Sequence, residues 1–127
     1  MGNIRVKVHE EMFAVAKVNK IPENFFAVVD YNGLTAVVPE NELNRLGERL
    51  DECERGFRLL TFEAELPFDL VGFMAKVSAA LAEKGVSILV FSSYSTDHVL
   101  VRDRDLNPAL NALREIGFEV SGDGVNG

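Results

Sequence analysis

The sequence predicts an α+β protein: a β-α-β-β-α-β unit over residues 57–120, joined to a shorter β-rich module over residues 1–56. Three observations carry the prediction. Two segments, Leu70 to Leu81 and Leu106 to Ile116, place apolar residues at helical spacing. Runs of β-formers precede, separate and follow them, and an Asn-Gly pair marks a hairpin in the first half.

In chain order, the stretch from Arg5 to Glu11 is charged and reads as solvated surface, and the first apolar run is Met12 to Val18. The link from Asn19 to Asn24 holds Pro22 and is too short for a packed helix. Phe26 to Val29 and Thr35 to Val38 flank Tyr31-Asn32-Gly33-Leu34. This predicts a hairpin, because Asn and Gly tolerate the positive φ that a type I′ turn demands at both central positions. Leu43, Leu46 and Leu50 then predict a short helix running to about Asp51. Glu54-Arg55-Gly56 reads as a break between modules, and Phe57 to Glu65 as the next strand.

From Pro67, the residues Leu70, Phe73, Met74, Val77, Ala80 and Leu81 predict a helix with Asp69 placed to cap its first turn and Gly85 to stop it. Val86 to Phe91 and His98 to Val101 follow as strands, and the short polar link between them makes them antiparallel neighbours. Asp105 is placed to cap a helix through Leu106, Ala109, Leu110, Leu113 and Ile116, with Pro108 in its tolerant first turn. Gly117 ends that helix, and Phe118-Glu119-Val120 is the last strand before a Gly-rich tail, 121–127, expected to be disordered. This order is that of a ferredoxin-like fold, with two helices on one face of a four-stranded antiparallel sheet. Val86 to Phe91 is apolar on both faces, so the uncovered face calls for the N-terminal module or a second copy of the chain, and a homodimer is expected.

At 127 residues the chain is one domain or two very small ones, and 47% hydrophobic with 26% charged residues is a globular composition. The net charge of −7 is spread over both halves, and Arg102 and Arg104 are interrupted by Asp103 and Asp105. Nucleic acid and anionic membrane are therefore excluded as expected partners, since both require clustered Lys and Arg. No apolar run approaches the ~20 residues that span a bilayer, and the N-terminus lacks the apolar core of a signal peptide. Met1-Gly2-Asn3 starts like a myristoylation signal, but Val6 stands where that motif needs Ser or Thr. Cys53 alone closes no internal disulfide, which fits a reducing, cytoplasmic location.

Ser92, Ser93, Ser95, Asp97 and His98 prompt a search for nucleophilic catalysis. Asp97 and His98 are neighbours entering a strand and point to opposite faces, so a polar turn accounts for them better than a triad does. His9 beside Glu10 and Glu11 falls short of the three or four ligands of a transition-metal site, and no phosphate-binding Gly-rich loop occurs. No catalytic residue, metal ligand or cofactor is expected. The pattern suits binding instead: the start of the Asp69 helix offers free N–H groups and a positive dipole end for a carboxylate, with Gly72 admitting close backbone approach or close packing on a strand. Asp97 offers a charge for an ammonium, and Ser93, Ser95 and Thr96 add hydroxyls. Together these suit a zwitterion.

Three segments carry a family likeness: Leu66-Pro67-Phe68-Asp69-Leu70-Val71-Gly72-Phe73, Gly85-Val86-Ser87-Ile88, and Ser92-Ser93-Tyr94-Ser95-Thr96-Asp97-His98-Val99-Leu100-Val101. Residues 57–120 resemble an ACT domain, a regulatory module that binds amino acids and similar effectors, and are most similar to the paired ACT modules of CASTOR-type amino-acid sensors and their small bacterial relatives. The N-terminal module resembles a truncated ACT unit. The resemblance implies Asp69, Gly72, Ser93, Tyr94, Ser95 and Asp97 as effector-binding residues. Ser93 stands where Thr is usual and Tyr94 where Phe or Tyr occurs, so the side-chain preference is open relative to arginine. The function implied is a non-enzymatic regulatory or sensor protein binding a small effector, an amino acid first among them, at a module or subunit interface. The alternative is a protein-protein interaction module that keeps the ACT fold without a ligand pocket.

Overall fold

The computed structural model describes residues 4–46, 52–63 and 72–122. Their elements are β1 (Arg5–Val18), β2 (Ala27–Asp30), β3 (Leu34–Pro39), α1 (Glu40–Leu46), β4 (Cys53–Glu63), α2 (Phe73–Glu83), β5 (Ile88–Ser92), β6 (Asp97–Arg102), a 3-10 turn (Asp103–Asp105), α3 (Leu106–Glu115) and β7 (Glu119–Ser121). They form two compact units, residues 1–10 with 58–127, and Glu11–Phe57. The class is α+β, as predicted.

In the first unit the strand order is β7-β1-β4-β6-β5. β5 and β6 pair antiparallel, Ile88 opposite Val101 through Ser92 opposite Asp97. The last strand departs from the expected all-antiparallel sheet: β7 pairs parallel with β1, Val6 opposite Val120. The reason lies in Arg5-Val6-Lys7-Val8, where Val6 and Val8 are buried and Arg5 and Lys7 are exposed. That period-two alternation makes a half-buried strand, so the charged N-terminal stretch is a strand of this unit rather than solvated surface. The tail also begins later than expected. Ser121 closes β7 and Gly122 lies against the Val8 backbone, while 123–127 fall outside the described residues.

One face of each helix closes the core of this unit. Phe73, Val77 and Leu81 of α2 and Leu106, Leu110 and Leu113 of α3 are buried with Val6, Val8, Leu60, Phe62, Val99 and Val101. Phe62, Phe73 and Phe118 meet at centroid distances of 5.5 to 6.0 Å, two of the three pairs edge-on, which adds about 0.5–1.5 kcal/mol per pair to their area burial. Both helices end in the same way. Gly85 at φ 72° and Gly117 at φ 97° follow the C-caps, and the amides of Val86 and Phe118 bond the carbonyls of Leu81 and Leu113. Each is a Schellman motif, and each seats an apolar residue beyond the turn in the core.

The helix start differs from the prediction. α2 begins at Phe73 with Gly72 as N-cap at φ 91°, and no side chain caps it. A residue in that conformation cannot continue a helix; Asp69, expected to cap the first turn, lies outside the described residues.

In the second unit the order is β2-β3-β1-β4, and Ala14, Ala16, Val18, Ala36, Val38 and Leu43 form the core. Asn32 and Gly33 take the positive φ expected of them, 52° and 98°. α1 is described to Leu46, and the expected extension to Asp51 lies outside the described residues. The supposed break at Glu54-Arg55-Gly56 is part of β4. Gly56 sits there at φ 83°, a bulge-like interruption, and its amide donates to Glu40 Oε2 of α1 at 2.7 Å. No helix among the described residues is long and apolar enough to cross a membrane.

An added Cβ at Gly117 would meet no neighbour within 4 Å, so only backbone strain opposes it. Gly117→Ala is expected to cost about 1 kcal/mol in urea denaturation, with an unchanged slope.

Candidate functional site

The polar link after β5 is a tight turn. Ser93 N–H donates to the Thr96 carbonyl at 2.9 Å and leaves Tyr94-Ser95 as a two-residue loop, with Tyr94 84% exposed. Ser92 donates its hydroxyl to Asp97 Oδ1 at 2.5 Å, across the last rung of the hairpin. Ser93, Tyr94, Ser95 and Asp97 are thus brought together by four consecutive backbone steps and one strand pair. Gly72 stands at the start of α2, which turns back through Gly85 into β5.

A second set of residues joins this turn from across the sheet. His98 of β6 is buried, and its Nε2 lies 2.9 Å from Ser93 Oγ. Its Nδ1 lies 3.0 Å from Thr61 Oγ1 of β4, which in turn lies 2.8 Å from His9 Nε2 of β1. The Phe91 ring stacks on His98 with centroids 5.7 Å apart. Behind His9, the nearly buried Arg58 donates to the His9 carbonyl at 3.1 Å and pairs with Asp103 at 3.2 Å. His9 is therefore half-buried and bonded, which corrects its reading as solvated.

These contacts join His9, Thr61, His98 and Ser93 into one array in which the histidine tautomers set which group donates and which accepts. Ser93 Oγ also lies 3.2 Å from the Thr96 carbonyl.

Burial favours the neutral form of both imidazoles. Burial pushes the His98 imidazole below its ordinary value, against the pull of Asp97. Burial also lowers His9, helped by Lys7 and by His98 and opposed by Glu63. The arrangement differs from a catalytic triad in that His98 Nδ1 meets a hydroxyl instead of a carboxylate. Among the described residues, no group of three or more His, Cys, Asp or Glu is placed to hold a metal ion.

These features define an α+β domain with a polar turn at one end of its sheet. The profile of the ACT domain family matches residues 52–115, and the chain belongs to that family. The cytosolic arginine sensor for mTORC1 subunit 1 of Homo sapiens is 30% identical over 110 residues, covering 77% of this chain and 31% of the relative. The chain thus spans about a third of that relative's length. Among solved structures, a protein of Agobacterium tumefaciens is similar with a TM-score of 0.80 at 21% identity, covering 100% of this chain and 98% of that one. A Vibrio cholerae protein of unknown function gives 0.72 at 26% identity, covering 89% of each. The ligand-free regulatory subunit of aspartate kinase from Thermus thermophilus gives 0.61 at 11% identity, covering 87% and 95%, and shows the fold alone.

Because both histidines are held below their unfolded value of about 6.5, the unfolded chain binds more protons than the folded one once the pH falls under that value. Stability is full above about pH 6.5 and declines as the pH drops through the folded pKa values. Melting temperature is expected to fall between pH 7.5 and 5, and His98→Gln is expected to flatten that slope. An unchanged slope in the variant would remove His98 from the account.

Proposed function

We propose that this protein is a non-enzymatic ACT regulatory protein that binds a free amino acid at the β5–β6 turn and the start of α2. The observation that carries the reading is the Asp97 carboxylate, half-buried and braced by Ser92, at the edge of an exposed turn rich in hydroxyls. A braced carboxylate suits an ammonium or guanidinium group. Among the described residues nothing stands within 4 Å of a Cβ placed at Gly72, which supports a carboxylate approaching the helix start. The sensor named for arginine among the relatives makes arginine the first effector to test. Ser93, Tyr94 and Ser95 complete the proposed site, together with Asp69 from the segment before α2.

The exposed Leu89 and Val90 on the terminal strand β5 support pairing with a second copy of the chain. An effector that binds one arrangement of such a pair better than another shifts its population, which is the form regulation takes here.

Calorimetry and thermal-shift measurements with the twenty amino acids test the proposal. At least one is expected to bind with micromolar affinity, within the ~1.5 kcal/mol per heavy atom that bounds small ligands. Asp97→Ala is expected to weaken that binding by about tenfold or more, the loss of a charge-assisted hydrogen bond. Absence of binding at millimolar concentration for all twenty would refute the reading.

A further inference from the structure

The second unit holds a cavity of its own. It measures about 300 Å³ and lies between the link that follows β1, Lys20 to Glu23, and Glu42, Arg45 and Leu46 of α1. All of these residues fall within Glu11–Phe57, and the volume is at the lower end of small-molecule sites. Pro22 is buried and stiffens the link, while Glu42, Arg45 and Leu46, three and four residues apart on α1, share one helix face. Arg45 Nη2 donates to Glu23 Oε2 at 3.0 Å and straps the link to the helix.

Glu42 is an unusual side chain for such a wall. It is 3% exposed, yet among the described residues no donor reaches its carboxylate: its one ion contact, Arg45 Nη1 to Oε2, is 3.9 Å long, beyond hydrogen-bond range. A buried carboxylate without a donor is costly, and bringing a donor to it is correspondingly favourable. Its oxygens are not sealed in. Among the described residues the side-chain atom closed off without a partner is Arg58 Nε, so the small exposure left to Glu42 includes its oxygens, and Glu42 lines the cavity. With Arg45 held by Glu23, the other cation of the wall is Lys20, an exposed side chain with no ion pair among the described residues.

We propose that this cavity is a second small-molecule site, which takes a compact zwitterion: its ammonium group on Glu42, its carboxylate on Lys20, and an apolar body against Ile21, Pro22 and Leu46. The charges select this class. An anion alone would meet the Glu42 carboxylate, and a cation alone would meet Lys20 and Arg45, whereas a molecule carrying both signs gives Glu42 its missing donor and Lys20 its missing partner. A metal ion is a poorer occupant, because no group of three or more His, Cys, Asp or Glu among the described residues is placed to hold one. The site does not rest on an effector at the β5–β6 turn.

Proton-nitrogen correlation spectra of the full chain test this with three probes: L-leucine, N-acetyl-L-leucine, which lacks the ammonium, and L-leucinamide, which lacks the carboxylate. At millimolar concentration L-leucine is expected to give saturable shifts at the amides of Lys20, Ile21, Glu23 and Asn41 to Leu46, and N-acetyl-L-leucine none. L-Leucinamide is expected to bind about threefold more weakly than L-leucine, a small loss because an ion pair to the exposed Lys20 is screened by water. Glu42→Gln, close in volume to the native residue, should weaken L-leucine about tenfold or more, the loss of a charge-assisted bond. Lys20→Gln, a surface change, should weaken L-leucine about threefold and leave L-leucinamide as it was. Asp97→Ala should leave the shifts in place, which separates the cavity from the β5–β6 turn. No shift at these amides with millimolar L-leucine, N-acetyl-L-leucine binding as tightly as L-leucine, or shifts that vanish with Asp97→Ala would each overturn the proposal. Shifts confined to Ser93 to Asp97 would overturn it as well, while leaving the turn as an effector site; shifts confined to the cavity would support it and remove L-leucine as an effector at the turn.

Discussion

The seating of β1 between β4 and β7 is the constraint on which the first unit depends. An ACT-type order built only from residues 57–120 would set the last strand directly beside β4. Here Val6 and Val8 occupy that place, fully buried under the helices, while β7 is carried one strand further out and pairs parallel. Each buried valine contributes about 1.5–3 kcal/mol of transfer free energy, so the pair accounts for a large share of a small unit's margin. The alternation that buries Val6 and Val8 also turns His9 to the opposite face of the sheet, beside Thr61. Core closure and the polar array are therefore two faces of one strand.

How much of this was legible in the sequence follows from which periodicities are local. The α2 and α3 stripes, the Asn32-Gly33 turn and the β5–β6 pair are written within a dozen residues each, and their places in the structure are close to those expected. The strand at Arg5 to Glu11 was hidden by Arg5, Lys7, Glu10 and Glu11, whose charges mask a two-residue period carried by only two valines. Gly56 misled in a similar way: a glycine reads as a break, but here a carboxylate from α1 takes the amide that leaves the ladder, and the strand continues through the bulge. Gly72 was read as a position of close backbone approach or packing, and it stands as the N-cap of α2 at φ 91°.

The candidate site divides along the same line. Ser93, Tyr94, Ser95 and Asp97 are contiguous, so their clustering at a turn could be read directly. His9, Thr61 and His98 lie on three strands that are remote in sequence, and nothing local indicates that their side chains share a face. The nearest available signal was parity: His9, Thr61 and His98 each alternate with residues that face the core, Val6 and Val8 in β1, Leu60 and Phe62 in β4, Val99 and Val101 in β6. Polar residues are rarely left without partners when buried, and these three satisfy one another.

The claim beneath all of this is that the start of β1, from Arg5, is an integral strand of the ACT unit. Native-state hydrogen exchange at the amides of Val6 and Val8 tests it most directly. If β1 is seated as described, those amides exchange only through global unfolding, at the same free energy as the amides of Leu60 and Leu100. Exchange of Val6 and Val8 orders of magnitude faster than those core positions would show an arm that detaches while the unit stays folded, and would contradict the account.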